Sequence, residues 1–161
     1  MKHQRQGFTL IEIIIVIILT GLITLVFSQV VVGGMKAWLF LKGQKQLSME
    51  TDTALRRITR EIRSAPNHDA AIITYNATQC AFVDGSGNTV NYSQSGTDLL
   101  RNNEVMLKNL SSTDGLRFAY LNATGEAATS KNQIYSVVIT LKTEQGTGRS
   151  TLRSTAGLRN P

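Results

Sequence analysis

The chain has 161 residues, 42% of them hydrophobic, and its 17 Lys and Arg against 11 Asp and Glu leave a net charge of +6. That length holds one domain with a modest core once any membrane segment is set aside, and the positive balance permits contact with an anionic surface without demanding it. A single cysteine, Cys80, excludes an intramolecular disulfide.

The first seven residues are short and basic, with Lys2 and Arg5, and a run of Ile, Val, Leu, Thr, Gly and Phe from Ile13 to Val32 follows them, interrupted only by Ser28 and Gln29. At about 1.5 Å per residue such a run crosses a bilayer core of about 30 Å as a helix, because every backbone N–H and C=O there must bond within the segment. The positive-inside bias keeps Lys2 and Arg5 in the cytoplasm and puts the C-terminal bulk on the far side. The run exceeds an ordinary signal-peptide core, and Val32-Gly33-Gly34 is a poor match to a small-residue cleavage site, so it predicts an anchor. One carboxylate, Glu12, lies near its start, where an ionised side chain costs roughly 3 kcal/mol or more and needs a partner or a route to the interface.

Gly7-Phe8-Thr9-Leu10-Ile11-Glu12, after a basic leader and before an apolar helix, resembles the prepilin signature of type IV pilins and type II secretion pseudopilins. The resemblance implies that a membrane-embedded prepilin peptidase cuts between Gly7 and Phe8 and methylates the new amine of Phe8. Gly21 falls where that family has a glycine, whereas Gln29 stands where major pilins carry a proline. Two roles for Glu12 remain open. It could meet the Phe8 amine of a neighbouring subunit and set axial register in a helix bundle, or it could snorkel to the cytoplasmic interface. The first is favoured by the motif around it.

Past Gly33-Gly34, Met35, Trp38, Leu39, Phe40 and Leu41 mix with Lys36, Lys42 and Lys45 as an interfacial belt. Leu47, Thr51, Ala54, Leu55, Ile58, Ile62 and Ala65 then recur at helical spacing on one face. The helix is predicted from Thr9 to Ser64 and ends before Pro66. Arg56, Arg57, Arg60 and Arg63 are the densest basic cluster after the leader. They read either as phosphate contacts or as a solvated face paired with Asp52 and Glu61, and the lack of interleaved aromatics favours the latter.

Short β runs follow: 70–75, 80–83, 89–92, 105–107, 116–121, 134–141 and a weaker one at 150–153. Asp84-Gly85-Ser86-Gly87-Asn88 and Glu144-Gln145-Gly146-Thr147-Gly148 have hairpin-turn chemistry, and residues 122–133 are expected to form a mobile loop. The predicted fold is α+β, a pilin-like lollipop with a long, half-transmembrane helix packed on an antiparallel sheet. Its parts are a leader (1–7), a transmembrane assembly helix (8–34), its amphipathic continuation (35–65) and a β head (66–161).

The head adds a second resemblance. The segment from Leu55 to Arg63, Leu99-Leu100-Arg101, the run from Leu116 to Leu121 and Leu158-Arg159-Asn160 look like minor pilins of the W type and pseudopilins of the J type. Those are low-copy subunits that prime or cap a filament, and an assembly subunit of mannose-sensitive-haemagglutinin-type pili would look similar. Asp84-x-Ser86-x-Asn88 lacks the distal Glu of a calcium loop and reads as a turn. His68-Asp69 has no companion ligands at metal spacing, and His3 is in the leader. Cys80 reads as a buried small hydrophobe, and the Asn76, Asn91, Asn109 and Asn122 sequons read as turns. With no nucleophile–base pair, phosphate loop or metal motif, neither enzymatic activity nor a cofactor is expected. The expected partners are other pilin subunits, the prepilin peptidase and the inner membrane. Two functions are carried forward, a filament subunit and a membrane-anchored extracytoplasmic domain binding DNA or a surface ligand.

Overall fold

The computed structural model describes residues 9–65 and 72–158. Two compact units divide the chain, Met1–Lys42 and Gly43–Pro161. A single helix, α1, runs Leu10–Arg63, opened by the N–H groups of Glu12 and Ile13 donating to Thr9 O at 3.1 and 3.3 Å. Gly33 and Gly34 lie within it without a break.

In the second unit α1 buries Leu47, Thr51, Ala54, Leu55, Thr59, Ile58 and Ile62, and Ala65 just beyond is also sealed. The three- and four-residue spacing read from sequence therefore marks the buried face, with Thr59 added to it. Thr59 joins because its hydroxyl donates to Leu55 O at 2.8 Å, which satisfies it inside the apolar stripe.

Eight strands are found among the described residues. β1 (Ile72–Tyr75), β2 (Gln79–Val83), β3 (Thr89–Ser95), β4 (Asp98–Arg101) and β5 (Glu104–Leu107) form one antiparallel sheet in that order. β6 (Leu116–Leu121), β7 (Ser136–Gln145) and β8 (Gly148–Gly157) form a second. The α+β architecture is as predicted, with two sheets where one was expected. Gln94 stitches them together: its amide donates to Ser111 O at 2.7 Å and accepts from Leu116 N–H at 2.8 Å. Phe118 N–H adds a bond to Ala77 O at 2.8 Å. Both sheets share one core, in which Ile58 and Ile62 of α1 meet Phe82, Tyr92 and Leu99 of the first sheet and Phe118, Ile139 and Leu141 of the second.

β4 is absent from the predicted strands. It exists because tight turns close both of its ends. Gly96 at φ 59° takes the first position of a two-residue turn, and Asn102 and Asn103 at φ 51° and 69° have the paired left-handed values of a type I′ hairpin. Residues 122–133 are ordered by hydrogen bonding rather than left as an open loop. Asn122 Oδ1 accepts from the N–H groups of Thr124 and Glu126 and from the Thr124 hydroxyl, Leu121 bridges Ala127, and a short 3-10 helix covers Lys131–Gln133.

Candidate assembly site

In the first unit, every described residue from Thr9 to Lys42 is exposed. Ile17, Leu25 and Phe27 are 66%, 67% and 68% accessible, in a helix whose most apolar stretch of 18 residues has a mean hydropathy of 2.9. Burying one such side chain is worth about 1.5–3 kcal/mol, so the stripe demands a bilayer or neighbouring helices. The Thr20 and Thr24 hydroxyls are already satisfied within the helix: Thr20 donates to Val16 O at 2.7 Å and Thr24 to Thr20 O at 2.8 Å. That internal satisfaction is what a hydrocarbon environment requires. Glu12 sits in the first turn, where the helix dipole favours a negative charge. It is exposed, and no cation among the described residues pairs with it. At the other end of the stripe Lys42 Nζ lies 5.3 Å from the Trp38 ring, the cation and aromatic pairing of an interfacial belt. Gly7 and Phe8 lie outside the described residues.

Residues 2–28 match the family of the prokaryotic N-terminal methylation motif. The chain carries a prepilin-type N-terminal motif. The match supports membership of the type IV pilin and pseudopilin family, a structural subunit in general terms, matured by prepilin peptidase and assembled with other pilins. No curated protein matches the chain.

The head carries a second constellation, on Glu61. The last turns of α1 place its carboxylate, 17% accessible, against the first sheet. Glu61 Oε2 accepts from Tyr92 Oη at 2.7 Å and Arg101 Nε at 3.0 Å, while Oε1 accepts from Arg57 Nε at 3.0 Å. Burial on its own would raise this carboxyl, but the bonds from Tyr92, Arg57 and Arg101 outweigh it and hold the group below its ordinary range. Burial and the facing carboxylate push the Tyr92 phenol up, so its proton stays in place. The cluster clamps α1 to β3 and β4 and has no nucleophile. Only the Arg57–Glu61 pair was legible in the sequence, since Tyr92 and Arg101 lie 31 and 40 residues away.

The arginine cluster is largely committed to internal bonds. Arg56 pairs with Asp52 at 2.7 Å, Arg57 with Glu61, and Arg63 Nη2 donates to Thr155 O at 2.8 Å, leaving Arg60 exposed. Asp84 Oδ1 accepts from the N–H groups of Ser86 and Asn88, both at 2.9 Å, which is turn chemistry and holds its carboxyl low. Cys80 is fully buried, and burial pushes its thiol up to about 11. Asn91 accepts from Gln79 Nε2 at 3.1 Å, and Asn109 takes φ 64°, both structural roles. His3, His68 and Asp69 lie outside the described residues.

Proposed function

We propose that the chain is a minor pilin or pseudopilin, a structural subunit of a type IV pilus or type II secretion pseudopilus that acts in filament initiation at the tip. The observation that carries this reading is the fully exposed apolar stripe of α1 with a single carboxylate, Glu12, inside a matched methylation motif. Prepilin peptidase cuts between Gly7 and Phe8 and methylates Phe8. The new amine then lies four residues before Glu12, and in a bundle the carboxylate of one subunit meets the amine of the next. Two charges leave hydrocarbon together, and their pairing sets the axial step while Ile, Val and Leu packing holds the bundle. Lys2 and Arg5 hold the leader in the cytoplasm, with the head beyond the inner membrane. The minor-subunit assignment is supported by the resemblance of residues 55–160 to W-type pilins and J-type pseudopilins.

Glu12→Ala tests the register role. Incorporation into sheared filaments, or crosslinking to neighbouring subunits, is expected to fall at least about tenfold, as the loss of one desolvated ion pair would produce. Undiminished incorporation would remove the register role and favour a tethered binding domain. Mass spectrometry of the mature protein is expected to find a chain that starts at methylated Phe8.

A further inference from the structure

Strand β8 pairs with β7 over ten consecutive positions, Ser136↔Gly157 to Gln145↔Gly148, without a register shift. It is an edge strand, and the direction of its backbone groups follows from the bonds of its neighbour. Lys142 N–H donates to Gly115 O, Lys142 O accepts from Ser111 N–H, and Glu144 N–H donates to Asn109 O. Lys142 and Glu144 therefore spend their backbone groups on the side away from β8. Their register partners, Thr151 and Arg149, must turn their own N–H and C=O outward, as the alternation of an antiparallel ladder requires. Arg153 and Thr155 follow at the same period.

The two ends of that outward row are occupied. Gln44 Nε2 donates to Arg149 O and Arg63 Nη2 to Thr155 O. Between them, the N–H and C=O groups of Thr151 and Arg153 find no hydrogen-bond partner among the described residues, and both residues are exposed. Proteins ordinarily blunt a long, regular edge with a bulge, a proline or charged side chains, or cover it with a helix. β8 has no bulge or proline; it has arginines at 149 and 153, and α1 hydrogen-bonds it at the two ends through Gln44 and Arg63. Arg149 reaches Glu144 at 3.8 Å, whereas Arg153 has no carboxylate within ion-pair distance among the described residues. Two such edges brought together would set arginines against arginines, so the charge pattern opposes self-pairing and selects a carboxylate-bearing strand.

We propose that the Thr151–Arg153 edge of β8 docks an extended acidic segment of another protein chain, which adds as a fourth strand to the three-stranded sheet. Main-chain bonds to the four open groups of Thr151 and Arg153 hold the segment. Its carboxylates, on alternate residues, lie beside Arg149 and Arg153, and its small apolar residues lie beside Leu152 and Ser154. Gln44 and Arg63 limit the length of the added strand. This docking does not depend on the Glu12 register role.

The test uses the full chain in detergent micelles with a fluorescent peptide of alternating glutamate and valine, read by anisotropy. Binding is expected, with a lysine–valine peptide at least about tenfold weaker. Thr151→Pro removes an outward N–H that β7 does not use, a place where an edge strand tolerates proline, and is expected to abolish binding with the unfolding midpoint unchanged. Arg153→Glu is expected to weaken the acidic peptide about tenfold or more, and N-methylation of the peptide on one edge only is expected to block it. Should Thr151→Pro misfold, the Arg153→Glu and N-methyl arms decide the matter. The proposal is overturned if the acidic peptide does not bind, if the lysine peptide binds equally, if folded Thr151→Pro or Arg153→Glu binds undiminished, or if the full chain self-associates through this edge instead.

Discussion

Replacing Glu61 with Ala tests the clamp between α1 and the first sheet. The carboxylate is 17% accessible and takes three bonds, two of them from guanidinium groups, with Arg101 27% accessible. Its removal leaves the Tyr92 hydroxyl and the Arg101 Nε without their acceptor. Breaking a fully buried pair costs about 3–5 kcal/mol, and partial exposure of Arg101 lowers the expectation to about 2–3 kcal/mol. For a head of this size that is a fall in unfolding midpoint of about 6–12 °C, measurable by calorimetry of the full chain in micelles. Tyr92→Phe is expected to cost about 1.5–2 kcal/mol, and its cycle with Glu61→Ala should show coupling of at least about 1 kcal/mol. The pH dependence has a definite sign. The folded carboxyl is held below its ordinary value of 4.5, so its stabilisation is complete above that value and is lost as pH falls through the depressed one. The wild-type chain should therefore lose more stability than Glu61→Ala on acidification below about pH 4.5. Additive single-mutant costs and identical acid profiles would refute the clamp.

Two further outcomes follow from packing. A Cβ on Gly115 would lie 2.5 Å from Ser111 O and 2.6 Å from Leu110 Cβ. Gly115→Ala is therefore expected to destabilise the head by about 1–3 kcal/mol in denaturant titration, since backbone must move where the two sheets join. Cys80, fully buried with its thiol pushed up to about 11, is expected to resist a thiol reagent at neutral pH in the folded chain and to react once denatured.

The parts of the fold written in local chemistry were legible in the sequence. The stripe from Leu47 to Ala65 repeats at helical spacing, so it announces its buried face whatever it packs against. β6 alternates Leu116, Phe118 and Tyr120 inward with Arg117 and Ala119 outward, and it was found at its observed bounds. β8 was read short, at 150–153 in place of Gly148–Gly157, because Ser, Thr and Arg on a half-exposed edge have little apolar alternation. β4 escaped notice because its adjacent Leu99 and Leu100, between Asp98 and Arg101, show no apolar–polar alternation. The Asn102-Asn103 pair, whose side chains tolerate positive φ, was the available signal.

The sequence by itself determined the long N-terminal helix. An apolar run broken only by Ser28 and Gln29, a single carboxylate and a basic leader are local facts, and the physics of hydrocarbon leaves a helix little alternative. Only the tertiary structure decided the partners of Glu61, the division of the head into two sheets joined by Gln94, and which backbone groups of β8 face outward. Those depend on residues tens of positions apart being brought within 3 Å or so of one another, and on a strand register that changes face with a slip of one residue.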